Sequence, residues 1–216
     1  MAAGPGSRFS DVRWFDEVDS TNRMAAKLAR AGAPHGVVVG ADHQTAGRGR
    51  RGRSWESRPG SSLLVSVILR PVPALTSLTA GVAAAEACRA AGVDVRLKWP
   101  NDVLSGDRKV GGILSELVGG AAVVGLGLNL KWAPPGAAHL GPAVDRTALL
   151  GGYLAALDAT DDVLGRYRAL CSTLGRRVRV ELLGSVFEGV AEDVDDQGRL
   201  VVDGRGIAAG DVVHLL

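Results

Sequence analysis

At Gly175 the spacing of apolar residues changes, and that switch constrains the fold more than any single motif does. Downstream, RRVRVELLGSVFEGVAEDVDDQGRLVVDGRGIAAGDVVHLL runs as short stretches of alternating apolar and polar residues. Turn signals at Leu183-Gly184, Asp196-Gln197-Gly198 and Asp203-Gly204 separate them, as hairpins require. This predicts a small β-barrel or sandwich. So short a stretch is near the lower limit for an independent core, so it is expected to lean on a larger unit. The two units are set at residues 1–172 and 173–216.

Upstream, strand and helix patterns alternate loosely. Residues 1–11 read as a loose leader and VRWFDEV as a strand. Asp19, Ser20 and Thr21 are candidate N-caps for a helix over RMAAKLARAGA, whose Met24, Ala25, Leu28 and Ala29 recur at helical spacing. GVVVGADHQ and SSLLVSVILR read as buried strands, with a helix over LTSLTAGVAAAEACRAAG. VRLKWPND is a strand stopped by Pro100, and KVGGILSEL and AAVVGLGLNL form a hairpin turning near VGGAA. A Pro/Gly-rich connection and helical material from Ala148 lead to Gly175. Adjacent strands late in the unit argue for a mixed α/β (α+β) sheet and against a doubly wound parallel one.

Composition narrows the function classes. With 46% hydrophobic and 22% charged residues, the 216-residue chain is globular and not disordered. Twenty-five basic and 23 acidic residues leave a formal charge of +2, so any anion binding is local. Cys88 and Cys171 are far apart without CxxC spacing, and four histidines show no metal-ligand spacing. No secretory h-region or membrane-length apolar run occurs, so a soluble cytoplasmic protein is expected.

Against that neutral background, QTAGRGRRGRSW gathers Arg48, Arg50, Arg51 and Arg53 among Gly47, Gly49 and Gly52. Guanidinium forks suit phosphate and carboxylate, and glycine lets backbone N–H groups approach an anion. The loop reads equally as a solvated basic segment or as a hinged arm over an anionic ligand. It is not a Walker motif, and GLGLN lacks dinucleotide-fingerprint spacing. LKWPNDV places Lys98, Asn101 and Asp102 around the end of a strand, although Pro-Asn-Asp is also ordinary turn chemistry. Lys109 enters a strand just before Gly111-Gly112, where a lysine is either solvated or a point charge for a ligand.

Taken together, DSTN, QTAGRGRRGRSW, KWPNDV, KVGGILSEL and GLGLNL, in this order, resemble the biotin protein ligases of the holocarboxylase synthetase type, from about Val12 onward. The resemblance implies a catalytic domain of the class II aminoacyl-tRNA synthetase and biotin–lipoate ligase type, with an SH3-like terminal β-barrel. It implies that biotin's carboxylate attacks the α-phosphate of ATP, with Mg2+, to give biotinyl-5′-adenylate. A lysine of a biotin carboxyl carrier domain, expected in an acyl-CoA carboxylase, then takes the acyl group. Carried over, Ser20, Thr21, Asn22 and Gln44 would face biotin, and Arg48, Gly49 and Arg50 its carboxylate and the adenylate phosphate. Lys109 would stabilise the developing charge, Trp55 would order the adenine side, and Arg53, Asn101, Asp102 and Asn129 would line the nucleotide region, with Asp102 the candidate for Mg2+. Gly111, Gly125 and Gly127 would leave space, and Lys98 would be a second cation.

The ligase motifs start almost at once, so the short form without the DNA-binding helix-turn-helix, and hence no repressor role, is expected. The family implies a monomer or a homodimer. The rival within the fold is a lipoate or octanoate ligase. The rival outside it is a non-enzymatic RNA or DNA binder using Arg48–Arg53.

Overall fold

The structure, a computed structural model, describes residues 8–158 and 161–215. Its larger sheet holds seven strands: β1 (Val12–Val18), β2 (Val38–Gln44), β3 (Ser62–Leu69), β4 (Arg96–Lys98), β5 (Asp102–Ser105), β6 (Arg108–Val118) and β7 (Ala121–Asn129). Their spatial order is β1-β2-β3-β7-β6-β5-β4. Only the β1–β2 pair of this sheet is parallel, so the mixed character expected from the sequence is observed.

Strand β3 is central and every one of its residues is buried, which explains its unbroken aliphatic run SLLVSVIL. Helix α1 (Thr21–Arg30) packs Ala25, Ala26 and Ala29 against Val37, Val39, Ile68 and Val123 on one face. On the other face lie α2 (Thr76–Ala90), α3 (Arg146–Asp158) and α4 (Val163–Leu170). The run of buried Ala83, Ala84, Ala85 and Ala87 on α2 lets helix and sheet approach closely, while Leu149, Tyr153 and Leu157 of α3 fill the outer layer. Each fully buried leucine or valine contributes about 1.5–3 kcal/mol, so these layers dominate the stability of the scaffold.

The terminal strands β8 (Arg177–Leu182), β9 (Ser185–Val194), β10 (Leu200–Val202), β11 (Arg205–Ile207) and β12 (Asp211–His214) form a separate antiparallel sheet, ordered β11-β10-β9-β8-β12. The three turn signals fall between β8 and β9, β9 and β10, and β10 and β11. Its apolar face, with Val178, Val180, Ala191 and Leu200, joins the core of the larger sheet. The Trp99 indole donates to Gly198 O across this junction at 3.0 Å.

Three expectations change. The leader is in part structural: Phe9 is buried and stacks near His35, although residues 1–7 lie outside the described residues. A Cβ on Gly36 would collide with the Arg8 carbonyl, so glycine is required where the leader passes the turn before β2. Helix α1 begins at Thr21, two residues before the pattern predicts, and Ser20 makes no side-chain cap bond. Finally, the stop at Pro100 is a tight turn, because Asp102–Ser105 returns as β5 against β4.

Candidate functional site

The site sits where the start of α1, the end of β2 and the middle of β6 and β7 meet. The backbone N–H of Ser20 donates to the Asp19 carboxylate at 2.6 Å. Gln44 Oε1, at the end of β2, accepts from Thr21 N at 2.8 Å and from its hydroxyl at 3.1 Å. Ser66 Oγ of β3 lies 2.8 Å from Thr21 Oγ1 and 2.6 Å from Asn22 Oδ1. Asn22 Nδ2 donates to Leu114 O at 3.1 Å and to Glu116 Oε2 at 2.9 Å. Such a satisfied network is rigid, because each buried polar group would lose much on moving. It borders a narrow cavity of about 30 Å³ floored by Gly125 and Gly127. A Cβ on Gly125 would collide with the Asn22 amide, and one on Gly127 would meet the Trp55 ring at 2.7 Å.

The arginine loop closes over this floor. A bridge between Arg48 and Ser54, the Gly49 N–Arg53 O bond at 2.6 Å and the Trp55 N–Gly47 O bond at 3.0 Å make it a closed lobe. Arg48 pairs with Glu116 at 3.0 Å, and Arg50 donates to Asn101 Oδ1 at 3.0 Å. A second cavity of about 90 Å³ lies under the loop between Arg48, Arg50, Asn101 and Lys109. A third, of about 190 Å³, opens between Trp55, Lys109, Asn129 and Pro134. Trp55 borders all three.

The electrostatics favour an anion at the centre. Burial lowers the Arg50 guanidinium and the Lys98 ammonium below their ordinary values, so a negative ligand would stabilise both charges. Lys109 Nζ is 2.6 Å from Asp102 Oδ1 and 5.9 Å from the centre of the Trp55 ring. Among the described residues no group of three or more Asp, Glu, His or Cys could hold a metal. Asp102, the partner of Lys109, lies beside this centre, and a magnesium ion there would draw its other ligands from phosphate and water, the mode this hard cation favours.

Most of the sequence-predicted residues therefore converge. Ser20, Thr21, Asn22, Gln44, Arg48, Gly49, Arg50, Trp55, Asn101, Lys109 and Asn129 all border one of the three cavities. Gly111 does not: strand alternation turns it away, against the Leu128 side chain, and Gly112 is the glycine that faces the loop and Trp55. Arg53 reaches the rim of the second cavity, but its guanidinium binds Asp211 of the terminal sheet at 2.8 Å. Asp102 borders none of the three cavities and pairs with Lys109 beside them. Asn129 is buried; its amide donates to Ala138 O at 3.0 Å, and among the described residues its Oδ1 has no hydrogen-bond partner.

Sequence reasoning missed Ser66, Gly112, Glu116 and Asp211. A lone serine within LLVSVIL and an acidic residue within ILSEL were readable signals, because a polar residue in a buried strand needs a partner.

A mixed sheet, a polar pocket at a helix start, and cations gathered between that pocket and a wider cavity make an α/β protein whose site suits a small ligand carrying an anionic group. Residues 14–131 match the biotin/lipoate A/B protein ligase family, and residues 173–215 match the biotin protein ligase C-terminal domain. The chain belongs to the biotin protein ligase family. It is 39% identical to a biotin–[acetyl-CoA-carboxylase] ligase of Mycobacterium tuberculosis, over all of this chain and 92% of that protein. The biotin protein ligase of Aquifex aeolicus, solved with biotin and ATP, superposes with a TM-score of 0.81 at 27% identity, over 96% of this chain and 99% of that one. The Leishmania major enzyme, solved with biotinyl-5-AMP, gives 0.64 at 26% identity, over 95% and 98%.

Proposed function

We propose that the protein ligates biotin to a lysine of a biotin carboxyl carrier domain, as in an acyl-CoA carboxylase, in two steps. In the first, a biotin carboxylate oxygen attacks the α-phosphorus of ATP, the bond to the bridging oxygen breaks, and pyrophosphate leaves. In the second, the carrier lysine attacks the acyl carbon, and AMP departs with the bonding electrons. The adjoining cavities, with Arg48, Arg50 and Lys109 at their junction, carry this reading.

In this reading the Ser20–Thr21–Asn22–Gln44 pocket holds the polar ring of biotin. Its carboxylate extends toward Arg48 and Arg50. Lys109 stabilises charge developing between carboxylate and α-phosphate, where a preorganised cation is worth several kcal/mol. Trp55 and Asn129 take the adenine side. Bound with ATP near Asp102, Mg2+ would supply further screening of the phosphates. The lobe excludes water from the mixed anhydride until an amine arrives.

The proposal includes a catalytic unit at 1–172, an SH3-like terminal unit at 173–216, a cytoplasmic setting and no repressor role. Among the described residues no helix is long and apolar enough to cross a membrane. ATP–pyrophosphate exchange with biotin, lipoate and octanoate side by side tests the activity. Exchange with biotin alone supports the reading, and exchange with lipoate or octanoate but not biotin replaces it. Sequence-specific binding of duplex DNA would remove the ligase-only part.

A further inference from the structure

The arginine loop is anchored to a part of the chain 160 residues away. Arg51 Nη1 donates to Asp211 Oδ2 at 3.1 Å, and Arg53 Nη2 to Asp211 Oδ1 at 2.8 Å. Arg51 also reaches Glu181 O at 3.4 Å, and Arg50 reaches Gly210 O at 3.5 Å. Glu181 and Asp211 are partners in the β8–β12 ladder, so these contacts fall on one spot of the terminal sheet.

The loop divides its four arginines by direction. Arg51, in left-handed backbone at φ 56°, and Arg53 turn outward to Asp211, Arg48 turns inward to Glu116, and Arg50 lies between, on Asn101 and on Gly210 O. The lobe is closed at its neck by the Arg48–Ser54 bridge, so fixing its tip fixes the whole. Three guanidiniums this close repel one another, and Asp211 is the carboxylate that two of them share. Burial alone would raise the Asp211 carboxyl, but Arg51 and Arg53 outweigh it and hold the group below the usual carboxylate range.

We infer that Asp211 is the positioning residue of the arginine loop: by holding Arg51 and Arg53 it sets Arg50 against the activated acyl group and Trp55 against the adenine side, and makes the terminal sheet part of the site. This rests on the ligase reading above. Asp211 touches no reacting atom. Its effect falls on nucleotide binding and adenylate retention and leaves the preformed pocket alone.

The test uses the full chain carrying Asp211→Asn. The KM for ATP in biotin-dependent exchange rises about tenfold, and biotinyl-adenylate escapes about tenfold faster, while the Kd for biotin changes by less than about twofold. Asp211→Glu restores most of the loss. In an Arg51→Ala/Arg53→Ala background Asp211→Asn adds nothing further, as expected when one residue acts through the others. Trypsin cuts the unliganded Asp211→Asn chain faster within Arg50–Arg53, with cleavage elsewhere unchanged, and this readout needs no activity. Glu188→Gln, on the outer face of the same sheet, is the control that leaves every readout at wild type. Wild-type KM, adenylate lifetime and loop cleavage in Asp211→Asn overturn the inference, as does an equal loss in the double-alanine background. A wild-type chain with no biotin-dependent exchange overturns the ligase reading instead, and the trypsin result then still decides the anchoring.

Discussion

The floor of the site and its cover are built on opposite principles. The floor is a set of buried, mutually hydrogen-bonded polar groups on regular elements: Thr21, Asn22 and Ser66 are each 4% exposed or less. The cover is a loop of half-exposed cations held by ion pairs to Glu116 and Asp211, pairs of the kind that individually contribute little to stability. In the proposed function the buried network fixes where a small polar ring binds, and Trp55 and the cover give way to admit it. A weakly held charged lobe can exchange its own carboxylate partners for the carboxylate and phosphates of ligands. In the proposed function, recognition, which needs rigidity, falls to the floor, and retention, which needs movement, falls to the cover.

Substitutions can break that comparison. The largest effect is expected at Lys109, which belongs to neither region: Lys109→Ala slows biotin-dependent exchange about 10²–10³-fold with biotin affinity nearly unchanged. An unchanged exchange rate would take it out of the chemistry. Next comes the floor. Gly125→Ala drives a methyl into the Asn22 amide, so biotin affinity should fall about tenfold or more and stability by about 1–3 kcal/mol, read by calorimetry and thermal unfolding. Arg50→Ala, in the cover, should leave stability close to wild type, weaken biotin less than Gly125→Ala does, and speed adenylate escape by about tenfold. If it weakens biotin as much as Gly125→Ala does, the division of labour is wrong.

The smallest effect lies at the junction of the two units. Burial first, then the nearby Lys98 and Arg176 charges, push His214 down to about 4 from 6.5, and its ring lies 3.1 Å from Thr173 Oγ1. The folded chain refuses a proton that the unfolded chain accepts, so stability is full above about pH 6.5 and falls as pH drops toward 4. His214→Gln should flatten that part of the acid-unfolding curve while leaving exchange at neutral pH unaltered.

How much of this was legible depended on sequence distance. The arginine loop, the β6–β7 hairpin and the terminal strands announce themselves locally, through glycine placement and period. Gly111 and Gly112 differ only by which side of β6 they face, and a register that fixes this comes from pairing with β7, beyond any local pattern. Strand β5 was hidden because Pro100 and Asn101 read as an ending, whereas the chain reverses and pairs at once. Glu116 lies 68 residues from Arg48 and Asp211 lies 158 from Arg53, so neither partnership has a trace in its neighbourhood. Ser66 was different: its isolation among aliphatics was visible, and only its partners were not.

The place of Trp55 gives the molecule a natural optical gauge. Its indole rests on Gly127 at the meeting point of all three cavities, with a buried N–H that has no acceptor. Vitamin or nucleotide arriving there must shift that ring or change what surrounds it. Emission from this one side chain, isolated by comparison with Trp55→Phe, would follow filling of the pocket in real time without any added dye.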